Sequence, residues 1–261
     1  LFSRMAKVHV NCAMEERPPK LYLLTIGIQN FKNENFNLQS PHHDAQGVAR
    51  TLEKYRESRF SEFEVVKLLD PGKQKIMESL YALKETIRPE DTFIFYASTH
   101  GYASPCLDDP DHYEYFLITS DCLDMPTEED SVSTRQLLEI SKFIPALNQV
   151  YILDTCHAGA VHGEFAKIYN QKLMLFGMGG GIHILAASSP MGFALDEYQG
   201  YGLFTYFLLE ALRGLGDADG DHLVTLSEAT DYIRNMIQEN LEGVQKPEIF
   251  CYGPSLTIAE R

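Results

Sequence analysis

Two residues in the sequence, His100 and Cys156, carry side chains that together suit nucleophilic catalysis. Each follows closely after an apolar run and stands at or near a glycine that permits a turn. A thiolate is a strong nucleophile, and an imidazole can take the proton from the thiol and return it to a leaving group. The backbone N–H groups of Gly101 and Cys156 would then be available to an oxyanion. A buried cysteine at a strand end and an unrelated surface histidine remain the alternative.

These two residues must be positioned by the elements that precede them, and apolar runs alternating with helical patterns predict those elements. Alternation of this kind is typical of an α/β protein whose sheet is mostly parallel and whose crossovers are right-handed. Ligands bind such sheets beyond the carboxyl ends of the strands, where His100 and Cys156 both fall. The predicted strands are residues 21–28, 63–69, 92–97, 115–119, 150–154 and 182–187, and the clearest predicted helices are 133–143, capped by Ser133, 204–212 and 226–241.

Charge and composition exclude several classes of function. The chain has 22 Lys and Arg against 37 Asp and Glu, a formal charge of −15. This excess of acid argues against binding to nucleic acid or to anionic membranes, and it favours a basic substrate or partner. No apolar run approaches the ~18 residues of a membrane span. Five scattered cysteines without a CxxC pair indicate no disulfide framework and fit a reducing, cytoplasmic location.

Several segments, in order, resemble motifs of the caspase-like cysteine peptidases, and the similarity is greatest to metacaspases and bacterial caspase-like proteins. The two main motifs are residues 95–101 (FYASTHG) and 152–159 (ILDTCHAG), and weaker similarity extends over about residues 20–240. The resemblance implies a caspase-haemoglobinase-like three-layer sandwich, with a mostly parallel central sheet of about six strands flanked by helices. We expect residues 1–20 to form an arm or linker and residues 21–261 to form the peptidase domain.

The resemblance also assigns roles to residues. It implies that Cys156 attacks the peptide bond, that His100 acts as general acid and base, and that Asp44, Ser98 and Asp154 bind the substrate side chain. Two carboxylates in that pocket favour Arg or Lys before the scissile bond through charge-assisted hydrogen bonds. The alternatives are a helix cap for Asp44 and a strand-end carboxylate satisfied by backbone N–H groups for Asp154. The partners expected are a protein or peptide substrate and a regulatory domain or protein, in the context of cell death or defence.

Two departures from the family pattern keep a rival interpretation open. Thr99 stands where glycine is usual before the histidine, and Ala158 stands where serine is usual, two residues after the cysteine. The side chain of Thr99 would narrow the loop that carries the histidine. A narrowed loop would suit a catalytically silent module that acts by binding other proteins. A nucleotide-binding domain is a further alternative, but residues 29–32 after the first strand do not form the glycine-rich loop that it needs.

The chemistry requires no cofactor, but two acidic segments suggest calcium. Carboxylates stand at loop positions 1, 3, 5 and 12 of an EF-hand pattern, although His222 occupies position 6, where glycine normally makes the turn. A plain structural turn is the alternative. These four candidate ligands are Asp217, Asp219, Asp221 and Glu228. The family resemblance adds a second candidate set, Asp111, Glu114, Glu129 and Asp130, in the acidic loop after the histidine.

A glycine cluster at residues 177–181 precedes a predicted strand, whereas phosphate-binding loops normally follow one. We therefore interpret it as a hinge. With a preference for basic residues, Arg4, Lys167 and Lys172 become candidate sites of self-processing.

Overall fold

A computed structural model describes residues 17–105, 113–158, 180–189, 192–241 and 245–261 of the 261-residue chain. Within these residues the strands are β1 Lys20–Gly27, β2 Glu62–Leu69, β3 Thr92–Ser98, β4 Gly101–Pro105, β5 Tyr113–Ile118, β6 Ser131–Ser133, β7 Asn148–Asp154, β8 Gly181–Ala186, β9 Leu223–Thr225, β10 Glu248–Tyr252 and β11 Thr257–Glu260. The helices are α1 Pro41–Tyr55, α2 Lys73–Thr86, α3 Thr134–Phe143, α4 Leu203–Glu210 and α5 Leu226–Leu241, with a short 3-10 helix at Glu34–Phe36 and a wider turn at Ala211–Leu215 that continues α4.

The central sheet has six strands in the order β10-β8-β7-β3-β1-β2. The pairings among β8, β7, β3, β1 and β2 are parallel, and the edge strand β10 runs antiparallel to β8. The prediction of a mostly parallel sheet is confirmed, and each predicted strand of this sheet lies within one or two residues of an observed one.

Apolar cores cover both faces of this sheet, which explains why its inner strands β1, β3, β7 and β8 are continuous apolar runs in the sequence. Neighbouring residues on a strand point to opposite faces, so Leu24 of β1 packs on the side of α2 and α3 while Leu23 packs on the side of α1, α4 and α5. Both leucines are fully buried. The arrangement is the three-layer sandwich that the sequence predicts.

Local signals account for the helix bounds that the prediction placed correctly. Ser133 caps α3 through a capping box, in which its hydroxyl accepts from the N–H of Gln136 and the Gln136 side chain accepts from the N–H of Ser133. The predicted helix 226–241 coincides with α5. A small antiparallel sheet, β4-β5-β6, follows His100, where the sequence predicted one strand in an acidic loop.

Two boundaries differ from expectation, and several predicted residues lie outside the described part of the chain. Strand β1 begins at Lys20, the last residue of the predicted arm, and Arg17 is already fastened to the domain by an ion pair of 2.6 Å with Asp91. Gly181, assigned to the hinge, is the buried first residue of β8. Residues 1–16, the candidate processing sites Arg4, Lys167 and Lys172, the candidate ligand Asp111 and the glycines 177 and 179 all lie outside the described residues.

No helix in the described ranges combines the length and apolar character that crossing a bilayer requires.

Candidate active site

A cleft of about 390 Å³ opens at the carboxyl ends of β3 and β7 and beside the start of α1. It contains all of the side chains that the sequence analysis singled out for catalysis and substrate binding. They come together because parallel neighbours β3 and β7 place Ser98 opposite Asp154, so that the turns following both strands meet at one edge. The predicted residues that line this cleft are His100, Cys156, Asp44, Ser98 and Asp154.

Cys156 sits in the turn after β7, with its Sγ 3.4 Å from the N–H of Ala194, which donates to it. The turn is held by Ser188, whose hydroxyl donates to the carbonyl of Thr155 and accepts from the N–H of Ala158. Burial raises the pKa of the Cys156 thiol, and the Ala194 N–H opposes that effect. The thiol therefore carries its proton at neutral pH in the free protein, so its reaction requires a base.

His100 has a fixed orientation in the cleft that it shares with this thiol. Its Nε2 lies 2.8 Å from the main-chain carbonyl of Phe36, and a carbonyl only accepts, so Nε2 carries the proton. The ring also packs against Phe31 and Phe36, with centroids 5.3 Å and 6.0 Å away. In the neutral ring, Nδ1 is then the atom that can accept a proton.

His157, the histidine directly after Cys156, is not among the residues that line the cleft. Its backbone adopts a left-handed conformation, with φ of 57°, and its ring contacts Phe193 at 5.7 Å between centroids. The structure thus brings His100, and not His157, to the cleft that holds Cys156.

Gly101 makes a close approach to the nucleophile turn that any side chain would prevent. A Cβ at this position would lie 2.1 Å from the carbonyl oxygen of Cys156 and 2.8 Å from Oγ1 of Thr155. Thr155 is itself fixed by a 2.7 Å hydrogen bond with the hydroxyl of Tyr115. The two residues predicted to supply oxyanion donors, Gly101 and Cys156, therefore lie against each other.

The two residues that depart from the family pattern are accommodated without loss of these contacts. The hydroxyl of Thr99 donates to the carbonyl of Ile118, at 2.9 Å, which ties the histidine loop to β5. Ala158 is fully buried, and its N–H donates to Ser188.

The floor of the cleft is acidic and buried. Asp44 accepts a 2.8 Å hydrogen bond from the hydroxyl of Ser98 and a 2.9 Å hydrogen bond from the N–H of Gly202. Asp154 accepts from both the hydroxyl and the N–H of Thr205, at 2.6 Å and 3.2 Å. An added Cβ on Gly202 would lie 2.6 Å from Oδ2 of Asp154 and 3.1 Å from Oδ2 of Asp44, so this residue lies against both carboxylates.

Both carboxyls bind a proton more tightly than usual. Burial, followed by the charge of Asp154, raises the pKa of Asp44 to about 8, and burial also raises the pKa of Asp154. No Lys or Arg is among the described residues that line the cleft. A cation that entered would therefore meet acidic groups without a competing positive charge.

The sequence analysis missed two parts of this site. Asp196 lines the same cleft, and its carboxylate accepts from the N–H groups of Gln39 and Ser40, at 2.7 Å and 3.1 Å. Asp196 does not directly follow a predicted strand, so the rule that ligand-binding residues follow strand ends does not indicate it. The second missed part is the main-chain carbonyl of Phe36, which accepts from His100. Every residue has such a carbonyl, so no residue type indicates it.

A family model described as the caspase domain matches residues 20–255, which is most of the chain. The chain belongs to the caspase-domain family. No curated protein sequence matches it closely enough to count as a relative.

Many solved structures share the fold of this caspase domain, and two of them illustrate it. One is a protein from Geobacter sulfurreducens, with a TM-score of 0.64 at 14% identity, covering 90% of this chain and 94% of the other. The second is caspase-1 from Spodoptera frugiperda, with a TM-score of 0.62 at 12% identity, covering 95% and 94%. At these identities the likeness shows the fold alone, and it confirms the predicted caspase-like architecture.

The predicted calcium loop lies away from the cleft, between the turn that ends at Leu215 and α5. Oxygen atoms from its first three carboxylates lie within 4.8 Å of one another, and these residues are Asp217, Asp219 and Asp221. His222 adopts the left-handed conformation, with φ of 71°, that glycine normally supplies at this position. Glu228 accepts from the N–H groups of Ala218 and Thr225. The donor set fits calcium, and calcium binding stays a prediction.

The second acidic set is dispersed in the described part of the chain. The carboxylate of Asp130 accepts from the N–H of Thr127, at 2.8 Å, while Glu114 accepts from the N–H of Arg135 on the neighbouring α3. Glu129 is exposed. These three side chains do not form a cluster among the described residues.

Proposed function

We propose that this caspase domain is a cysteine endopeptidase that hydrolyses peptide bonds after Arg or Lys. The observation that carries the proposal is the pair of buried carboxylates, Asp44 and Asp154, in the same cleft as Cys156 and His100. Buried carboxylates without a basic partner are costly, and a guanidinium or ammonium ion from a substrate offsets that cost.

The hydrogen bonds already made in the cleft explain how a cation would be bound. Ser98 and Gly202 hold Asp44, and Thr205 holds Asp154, so both carboxylates are oriented before substrate arrives. A planar guanidinium can donate several charge-assisted hydrogen bonds to carboxylates that are already arranged in this way. Because the pKa of Asp44 is raised, binding of the cation displaces a proton from the acidic pair.

The proposed reaction is acyl transfer through the thiol. Nδ1 of His100 takes the proton from Cys156 as Sγ attacks the carbonyl carbon, and the oxyanion is bound by the N–H groups of Gly101 and Cys156. The C–N bond then breaks as His100 returns the proton to the leaving amine. Water, deprotonated by His100, hydrolyses the thioester and regenerates the thiol. The raised thiol pKa favours proton transfer during attack over a thiolate formed beforehand.

Short fluorogenic peptides ending in Arg, Lys or Asp test this proposal. We expect cleavage after Arg and Lys and none after Asp, and we expect the Cys156→Ala variant to be inactive. A preference for Asp would refute the assignment of the pocket. A thiol-reactive peptide bearing Arg separates the peptidase from the catalytically silent binding module, since labelling of Cys156 that is lost in His100→Ala requires a working dyad.

The remaining expectations rest on the family resemblance and the sequence pattern. They are a cytoplasmic location, a role in cell death or defence, a regulatory domain or partner protein, and self-cleavage after Arg4, Lys167 or Lys172. Comparison of intact masses between the wild type and Cys156→Ala after incubation tests the last of these.

Isothermal titration with calcium chloride tests whether the acidic loop binds calcium through Asp217, Asp219, Asp221 and Glu228. The absence of a heat signal would count against calcium binding.

A further inference from the structure

A second cleft, of about 610 Å³, shares His100 with the acidic cleft but contains none of Asp44, Ser98 and Asp154. The histidine lines both clefts, and Gly101 joins it at the edge of the second. The rest of this second cleft is formed by the 3-10 helix, by β4 and β5, and by a loop at residues 124–126. Its other described lining residues are Phe36, Tyr102, Ile118, Asp124, Met125 and Pro126.

The proposed reaction fixes which part of a substrate passes this second cleft. The side chain before the scissile bond enters the acidic cleft, and the carbonyl lies at Cys156. The leaving amine must contact His100, because that residue gives it a proton. The residue directly after the scissile bond therefore continues past His100 and away from Asp44 and Asp154. The second cleft fits this position, because it includes His100 and Gly101 but neither of the two carboxylates.

The lining of the second cleft is mostly apolar, and part of it is left open to water. Phe36 and Tyr102 are half-buried against the main core, while 57% of Met125 is exposed. Covering such surface with an apolar side chain is favourable in proportion to the area removed from water. Asp124 supplies a carboxylate at this cleft, which disfavours an acidic side chain there.

The cleft is also formed before substrate binds. The side-chain amide of Asn33 donates to the carbonyl of Leu123, at 2.8 Å, which joins the loop to the 3-10 helix on the facing wall. The thiol of Cys122 donates to the carbonyl of Asp124, at 3.2 Å, just before Met125. A preformed pocket spends little of the binding energy on ordering itself.

We propose that this second cleft selects an apolar residue, such as Leu or Met, directly after the scissile bond, with Met125 and Phe36 as specificity-determining residues. The proposal rests on the proposed function, because it takes the direction of the substrate from the roles of Cys156 and His100. It adds a second sequence requirement to a preference for Arg or Lys.

Internally quenched peptides with Arg before the scissile bond and Leu, Gly or Asp after it test the proposal. We expect kcat/KM with Leu to exceed that with Gly by about tenfold, which is the discrimination that one partly buried apolar side chain provides. The peptide with Asp should be cleaved more slowly than the peptide with Gly. Benzoyl-arginine ethyl ester, which places no amino acid beyond the scissile bond, reports on the nucleophile and the acidic cleft alone.

The outcomes separate this inference from the proposed function. Ester hydrolysis with equal rates for Leu and Gly peptides would overturn the apolar subsite and leave the peptidase intact. Failure to hydrolyse either the ester or the peptides would overturn both.

A pair of matched variants tests the location of the subsite. Met125→Gln should reduce the tenfold preference for Leu over Gly to about threefold, because it makes part of the lining polar. Leu123→Gln is the control, since Leu123 lies two residues away, is 62% exposed and does not line the cleft. Its preference should remain that of the wild type. An equal loss in both variants, or none in Met125→Gln, would reject the assignment.

Discussion

Replacement of Asp44 by Asn should change the pH dependence of stability in a direction opposite to that of most carboxyl substitutions. Asp44 is fully buried, and burial together with the charge of Asp154 raises its pKa to about 8. In the unfolded chain the same carboxyl has a pKa near 4. The folded form therefore binds this proton more tightly, so the associated stability is complete below about pH 4 and is lost as pH rises towards 8.

The size of the effect follows from proton linkage. Between pH 5 and pH 7, Asp44 is protonated in the folded chain and ionised in the unfolded chain, a difference of about one proton. Each pH unit then lowers the free energy of unfolding by about 1.4 kcal/mol, or about 3 kcal/mol over the interval. For a domain of this size that corresponds to a fall in Tm of roughly 5–10 °C. Asn has no such proton to lose, and its oxygen can still accept from the N–H of Gly202.

Thermal and urea unfolding at pH 5, 6, 7 and 8 measures this difference. We expect the wild type to lose stability relative to Asp44→Asn as pH rises. We expect the variant to cleave Arg peptides about 100-fold less efficiently, because Asn has no proton to release and so cannot become the second carboxylate opposite the bound cation. Asp231→Asn, at an exposed position on α5, is the matched control and should run parallel to the wild type. Parallel profiles for the wild type and Asp44→Asn would refute the reasoning.

Three further substitutions give separate checks on the site. Gly101→Ala should abolish measurable cleavage and destabilise the fold by about 2 kcal/mol, because its Cβ would overlap the carbonyl of Cys156; an active variant with unchanged Tm would contradict this. Thr205→Val should move the acidic limb of kcat/KM for Arg peptides up by about one pH unit, because the lost hydrogen bond stabilises ionised Asp154; an unshifted limb would argue against it. Asp196→Asn should raise KM for Arg peptides several-fold with kcat unchanged, and a fall in kcat alone would remove Asp196 from substrate binding.

The fold could be predicted where local patterns and tertiary structure agree. The strands β1, β3, β7 and β8 are buried on both faces, so each appears in the sequence as an uninterrupted apolar run. β10 could not be predicted in the same way, because it is a half-exposed edge strand that pairs antiparallel with β8, outside the βα alternation. The strand β4 directly follows His100 and is not among the strands that the sequence predicts.

The site could be predicted as far as it consists of side chains at strand ends. Ser98, His100, Asp154 and Cys156 follow or end apolar runs, and the topology of a parallel sheet brings such positions to one edge. Asp196 could not be placed, since its position depends on the hydrogen bonds that attach its carboxylate to the N-terminal end of α1. These bonds join residues more than 150 positions apart.

The contact between His100 and the carbonyl of Phe36 has a consequence for how this protein tolerates mutation. Every amino acid has a main-chain carbonyl, so replacing the side chain at position 36 leaves the acceptor for Nε2 in place as long as the 3-10 helix keeps its shape. The same replacement changes the wall of the apolar cleft beside it. Position 36 therefore has two separable roles. Its main-chain carbonyl orients the histidine, while its side chain packs against the His100 ring and forms part of the cleft wall, so a replacement of similar shape can change substrate preference and still keep the acceptor for Nε2.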